Sequence, residues 1–269
     1  MKTTTTRNIT VYESGGRSAS SESLIVEEPL SIRIDGHPYS VVMRTPGDEA
    51  AHGAGFCLAE GIVEKFEDIA ALGFCDDDET NVLTVTLTAD RRAKVAGLLE
   101  RKGFVSQTSC GICGKAVIDD LLQIIAPLPF RHHLSPENIL ACADALTKFQ
   151  PLHRQTRAAH AAVLYDGKMN VLSFAEDVGR HNALDKAIGK VFSGAGIDQA
   201  VFALMSSRLS YELVQKAARA GIEIMAGISR PTALAVELAE SVGMTLAWAR
   251  NKRLAVFAGE RRVTDQDTG

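Results

Sequence analysis

The chain has 269 residues, of which 46% are hydrophobic and 23% charged, with a formal net charge of −4. This is the composition of a globular protein with room for one large core or two ordinary ones, and its acidic balance argues against a general nucleic-acid binder. No apolar run approaches the ~18 residues that span a bilayer, and the start MKTTTTRNITVYESGG lacks the apolar stretch of a secretory signal. The protein is therefore read as cytoplasmic and not membrane-bound. Structural disulfides are rare there, and five unevenly spaced cysteines fit reduced thiols.

Residues 1–21 are rich in Thr, Ser and Gly and read as a disordered or loosely held tail, as does the terminal TDQDTG. PLSIRIDGHPYSVVMRTP alternates on both sides of Asp35-Gly36, which signals a type I′ hairpin. A helix is predicted next, with Thr45 as N-cap, Pro46 in the first position and Asp48 completing a capping box. It runs through GDEAAHGAGFCLAE to about Gly61, and its Ala and Gly content implies close packing. His52 on it reads as a core or interface histidine. NVLTVTLT is a strand and DRRAKVAGLLERKG a helix ending at Gly103. The first 100 or so residues thus suggest a small α+β unit.

GKAVIDDLLQII has helical spacing, so Cys110 and Cys113 fall at or before a helix N-terminus. APLPFRHHLSP reads as a linker, and SPENILACADALTKF as a helix capped by Ser135. The second half alternates more clearly. HAAVLYDGKMNVLSF is a hairpin about Asp166-Gly167, and NALDKAIGKVF a helix. AVFALM, IEIMA and MTLAWA are strands separated by the helices SYELVQKAARAG and TALAVELAESVG; LAVFA is a final strand. Short strands alternating with helices predict a mostly parallel sheet with an antiparallel part from the hairpin. Cys57, Cys75 and Cys142 sit in apolar contexts and read as core.

Ligands of open α/β sheets gather beyond the carboxyl ends of the strands. There the chain carries Ser206, Ser207 and Arg208, then Ser229, Arg230 and Thr232, then Arg250, Asn251, Lys252 and Arg253. Hydroxyls and Arg at helix N-termini bind anions through free N–H groups and bidentate guanidinium forks. One such turn could be a helix cap with a solvated Arg. Three on one edge point to a phosphate-bearing ligand, a nucleotide above all. A fourth segment, SFAEDVGRHNALDK, crowds Glu176, Asp177, Arg180, His181 and Asn182 into a helix start, where positive charge opposes the dipole.

Cys110-Gly-Ile-Cys113 admits three readings. A zinc site needs four ligands, yet His132 and His133 are adjacent and Cys142 stands alone. A zinc deaminase would need His-x-Glu before Pro-Cys-x-x-Cys, and neither occurs. A redox dithiol is chemically possible with Lys115 nearby, but no aromatic precedes Cys110. Sulfur transfer asks for a nucleophilic thiolate, a loop loosened here by Gly111 and Gly114, and a site for the acceptor. It alone uses both halves of the chain.

RTPGDEAAHGAGFCLAEGIV, SCGICGK, AEDVGRHNALDKAIGK, SSRLSYELVQKAARAGI and GISRPTALAVELA, in that order, resemble the formate dehydrogenase accessory sulfurtransferase family, FdhD, from about residue 22 to 263. The resemblance implies an α/β fold: a small α+β roll-like domain over residues 22–130, which ends in the CxxC loop and a helix. A larger cytidine deaminase-like, layered α-β-α domain over residues 131–269 follows it. It implies sulfur taken from a cysteine desulfurase as a persulfide on Cys110, with Cys113 its partner in the loop. That sulfur goes to the molybdenum cofactor, bis(molybdopterin guanine dinucleotide), for formate dehydrogenase. WARNKR, Trp248, Ala249, Arg250, Asn251, Lys252 and Arg253, corresponds to the family's cofactor-binding stretch, with Trp248 where a smaller aromatic such as Phe is expected. GDP should mimic the cofactor, Arg180 and His181 should line the same cleft, and the protein should hold no metal of its own. A homodimer is implied as well, although the small-residue helix around Gly53 and Gly55 could equally pack internally. Two rival readings are a dithiol oxidoreductase and a chaperone that only holds the cofactor.

Overall fold

The computed structural model describes residues 2–74, 81–101, 125–194 and 196–264. The first element corrects an expectation. In place of a loose tail, β1 (Thr4–Glu13) pairs antiparallel with β2 (Gly16–Ile25) in a separate two-stranded sheet. Few large apolar side chains mark this stretch, so it reads as disorder. Yet Thr suits extended backbone, and the register sets Arg7 opposite Glu22 and Tyr12 opposite Arg17. Gln155 fastens the base of the ribbon by donating to the Thr4 and Ser23 hydroxyls.

β3 (Glu28–Ile34) and β4 (His37–Arg44) form the hairpin expected at Asp35-Gly36. Both turn residues have positive φ, 50° and 80°, as a type I′ turn requires. β5 (Ile69–Phe74), whose sequence carries no alternation, and β6 (Val82–Leu87) complete a four-stranded sheet in the order β4-β3-β6-β5. α2 (Ala89–Arg101) follows.

α1 (Glu49–Ala59) starts later than the capping box predicts, with Asp48 as N-cap in left-handed backbone. The cause is tertiary. Thr45 is buried; its N–H donates to Asp177 Oδ2 at 3.0 Å, its Oγ1 accepts from the Val178 N–H at 3.1 Å, and its carbonyl accepts from Lys186 Nζ at 2.7 Å. A residue engaged at three atoms by the other half of the chain does not cap its own helix.

α3 (Pro136–Ala145) starts as predicted, Ser135 Oγ accepting from the Asn138 N–H at 3.2 Å. A short α4 (Pro151–Thr156) follows. The second sheet contains β7 (His160–Tyr165), β8 (Val171–Asp177), β9 (Phe202–Met205), β10 (Ile224–Gly227), β11 (Thr245–Arg250) and β12 (Arg253–Ala258), in the order β12-β11-β10-β9-β7-β8. It is mixed: β9-β10 and β10-β11 pair parallel, whereas β7-β8, β7-β9 and β11-β12 pair antiparallel. The β7–β8 hairpin slots β7 between β8 and β9, and a tight turn at Asn251-Lys252 folds β12 back on β11. Nevertheless β8, β9, β10 and β11 all point one way. α5 (Arg180–Phe192), α6 (Tyr211–Arg219) and α7 (Ala233–Val242) connect them.

One hydrophobic cluster runs from Leu30 and Leu83 of the small sheet through Phe56 of α1 to Leu184 of α5, Leu213 of α6, Leu238 of α7 and one face of β9–β11. The other face, including Val163, Phe202 and Ala247, packs on Ile139 and Cys142 of α3. Helices therefore cover both faces of the large sheet. α1 crosses α5 at backbone contact: a Cβ on Gly55 would fall on the Asp185 carbonyl, and one on Gly189 on that of Ala51. The small residues of α1 are thus used internally.

Candidate functional site

Because β8 to β11 run together, their carboxyl ends share one edge with the start of β12 and the start of β7. Neighbouring strands stand about 4.8 Å apart, so the turns after β9, β10 and β11 are adjacent. They are also stitched together. The Thr232 N–H donates to the Leu209 carbonyl at 3.0 Å, and Leu209 bridges Pro231.

Within these turns the hydroxyls and the cations do different work. Ser206 Oγ accepts from the Ala161 N–H at 2.7 Å, Ser207 Oγ donates to the Arg208 carbonyl at 2.9 Å, and Thr232 caps α7 by accepting from the Ala235 N–H at 3.3 Å. Those three side chains hold the turns in shape. Ser229 is half-buried. Arg208, Arg230, Arg250, Asn251, Lys252 and Arg253 are exposed. Arg250 and Arg253 lie opposite each other across the β11–β12 ladder, with Asn251 and Lys252 at its tip in left-handed backbone, φ 54° and 58°. Trp248 donates its indole N–H to the Ile228 carbonyl at 3.1 Å, and the Arg230 guanidinium lies 5.6 Å from its ring centroid. The indole therefore ties β11 to the turn after β10 and carries Arg230 on its ring. Ala249 is fully buried in the core and faces no ligand.

Arg180 and His181 open α5, whose N-cap, Gly179, supplies no side-chain hydrogen bond to the helix N–H groups. His181 Nε2 pairs with Glu212 Oε2 at 2.8 Å and approaches Ser210 Oγ at 3.4 Å. The hydrogen bond from His181 holds the Glu212 carboxyl below its usual range. Arg180 Nε is buried without a hydrogen-bond partner among the described residues. Burial and the nearby Arg208 cation lower the Arg180 pKa, with Glu212 opposing. Burial, then Arg180, His153 and His181, push His160 down. His153, His160 and Glu212 thus join the group that sequence reasoning assembled from Arg180, His181 and Arg208. They lie on other elements, and nothing local in the sequence marks them.

The two acids of the same segment have structural jobs. Glu176 accepts from the Leu152 and His153 N–H groups at 2.7 and 2.8 Å, capping α4. Asp177 is fully buried and accepts from Thr45 N–H, Gly179 N–H, Asn182 Nδ2 and Lys186 Nζ. It locks the β8–α5 turn that presents Arg180 and His181.

Cys110, Cys113, Gly111 and Gly114 lie outside the described residues, as does Cys75. Cys57 and Cys142 are buried, and burial pushes both thiols up, so neither is a nucleophile at neutral pH. Among the described residues no group of three or more His, Cys, Asp or Glu could hold a metal ion. No described helix is long and apolar enough to cross a membrane.

Residues 25–264 match the FdhD/NarQ family. A sulfur carrier protein FdhD of Anaeromyxobacter dehalogenans is 39% identical over 94% of this chain and 92% of its own length. The protein of the same name from Streptomyces avermitilis is 35% identical over 97% of this chain and 96% of its own. Among solved structures, a protein of Desulfotalea psychrophila provisionally assigned as a formate dehydrogenase accessory protein superposes with a TM-score of 0.78. It shows 25% identity, with 98% of this chain and 100% of that one covered.

Proposed function

The chain belongs to the FdhD/NarQ family, and on that premise we propose that it is a cytoplasmic sulfur carrier serving formate dehydrogenase. Cys110 attacks the terminal sulfur of a persulfide on a cysteine desulfurase. The sulfur moves to Cys110, and the donor cysteine leaves as a thiolate. The acceptor is the molybdenum cofactor, bis(molybdopterin guanine dinucleotide). Release of the carried sulfur as sulfide needs two electrons, which Cys113 can supply by closing a disulfide with Cys110.

The observation that carries the acceptor half is the shared strand edge. Exposed Arg208, Arg230, Arg250, Lys252 and Arg253 stand at the ends of adjacent strands on turns held rigid by Ser206, Ser207 and Thr232. A cofactor with two nucleotide ends offers several phosphates, and a row of guanidinium forks on a fixed backbone suits them. Arg180 and His181, with the uncapped start of α5, extend the same edge toward the cofactor. GDP should occupy part of this site.

The test is the intact mass of the full-length chain after incubation with a cysteine desulfurase and free cysteine, without reductant, beside Cys110→Ala and Cys113→Ala. A gain of one sulfur atom that dithiothreitol removes, and that Cys110→Ala loses, supports the carrier. A loss of two hydrogens with no sulfur gained would replace it with a dithiol oxidoreductase. No sulfur gained and no oxidation would leave a chaperone that only holds the cofactor.

A further inference from the structure

The strand edge is lined with cations, and one acid breaks that pattern. Among the described residues, three acids stand along it: Glu176, Asp177 and Glu212. Glu176 is spent on two backbone N–H groups, and Asp177 is buried among its four partners. Glu212 is exposed, with 49% of its side-chain surface in water. The first turn of α6 suits a carboxylate, because the helix dipole favours negative charge there. Yet Glu212 also reaches across to the start of α5, where Oε2 meets His181 Nε2 at 2.8 Å. The bond from His181 holds the carboxyl below its usual range, so it is ionised at neutral pH. Burial and then Arg208 lower the Arg180 pKa while Glu212 raises it, which puts all three in one neighbourhood. An exposed negative charge here repels phosphate. A ligand that offered phosphates alone would bind better without it.

A guanine ring supplies what a phosphate does not. Its N1–H and 2-amino group stand side by side, two donors that match the two oxygens of a carboxylate. Adenine presents a bare N1 at that place, and hypoxanthine keeps the N1–H but lacks the amino group. Proteins read a base by hydrogen bonds to this edge. An ionised carboxylate only accepts, with lone pairs on both oxygens, so one bond from His181 leaves room for two from guanine. The neighbouring side chains do not have this chemistry. The Trp248 indole N–H is bound to the Ile228 carbonyl and Arg230 lies on its ring, and guanidinium groups only donate. The spacing also fits. From β9 to β11 is two strand separations, about 10 Å, so a base at the start of α6 leaves its phosphates toward Arg230, Arg250 and Arg253.

On the cofactor reading given above, on which this rests, we propose that Glu212 selects guanine. Its carboxylate accepts from the N1–H and the 2-amino group of the nucleotide, and His181 is the positioning residue that holds the carboxylate in place. The cations grip any nucleoside diphosphate, and Glu212 chooses the base.

The test is titration calorimetry of the full-length chain with GDP, IDP and ADP, which carry the same diphosphate, beside Glu212→Gln. The native chain should bind GDP about tenfold or more tightly than IDP, because a hydrogen bond to a charged acceptor is at stake, and ADP least tightly. In Glu212→Gln the amide keeps one acceptor and turns a donor toward guanine, so the ratio of GDP to IDP affinity should fall toward one. ADP should bind as well as before or better, with unchanged thermal unfolding as the check on folding. A residue that only holds His181 would change all three affinities by one factor, and that result overturns the proposal. So does a native chain that binds GDP and IDP equally, which leaves the phosphate site standing and needs no variant. A native chain that binds none of the three overturns the nucleotide-binding reading and this proposal with it.

Discussion

Asp177 binds four partners with two oxygens and has no solvent exposure, so its charge is answered wholly from inside the protein. Lys186, at 2.7 Å, is the only cation among those four partners. Removing one member of a buried pair leaves the other uncompensated, which costs about 3–5 kcal/mol. Lys186→Met should lose stability of that order in urea unfolding, far more than Lys190→Met on the same helix, whose side chain keeps about a third of its surface in water and pairs with the half-exposed Asp48. His52 adds a pH dependence. It is fully buried, and burial together with Lys186, Lys216 and Arg44 holds its pKa well below the ordinary value, so the folded chain keeps it neutral. The unfolded chain binds a proton there below about pH 6.5. Its contribution is therefore intact above that pH, and stability falls by about 1.4 kcal/mol per unit as the pH drops further. His52→Gln should remove that slope from stability measured between pH 7 and 5.

At the scale of elements, the α1–α5 crossing decides how the small sheet attaches to the large one. Gly189 faces the Ala51 carbonyl with no room for a methyl group. Gly189→Ala should therefore cost about 1–3 kcal/mol through overpacking, visible as a lowered Tm. At Gly97, on the open side of α2, where a Cβ would meet nothing, the same change should stabilise by about 1 kcal/mol. The elements most legible in sequence were those whose cues are local. The Asp35-Gly36 turn and the Ser135 cap form as read because each needs only its immediate neighbours. The Thr45 cap failed because Asp177, Val178 and Lys186, over 130 residues away, claim it. β1 and β2 escaped notice because their pairing, not an apolar face, makes them a sheet.

At the scale of the molecule, the strand order gathers cations from three separate turns onto one edge. If they grip phosphates together, Arg250→Ala/Arg253→Ala should weaken GDP binding by about tenfold or more, since each charge-assisted bond contributes about 1.5–3 kcal/mol. The native affinity should also fall with added salt. Titration calorimetry at two salt concentrations reads both effects; an unchanged affinity in the double variant would remove the anion site. Trp248→Phe tests a different point. The indole N–H bond to Ile228 ties β11 to the turn after β10, so the change should loosen Arg230 and lower affinity modestly without abolishing it.

The sequence by itself determined the α/β class, most strands and helices of the second half, the Arg-bearing turns and the family. These rest on short-range periodicity, on turn and cap chemistry, and on long ordered runs of residues. It could not divide the turn residues into those that shape the site and those that face it. Ser206 is bound to Ala161 and Ala249 is buried, whereas Arg250 is exposed, and all three look equally available on paper. Nor could it bring His160 and Glu212 beside Arg180 and His181, or turn Thr45 away from its helix. Those outcomes depend on strand order and on contacts between distant segments, which only the folded chain creates.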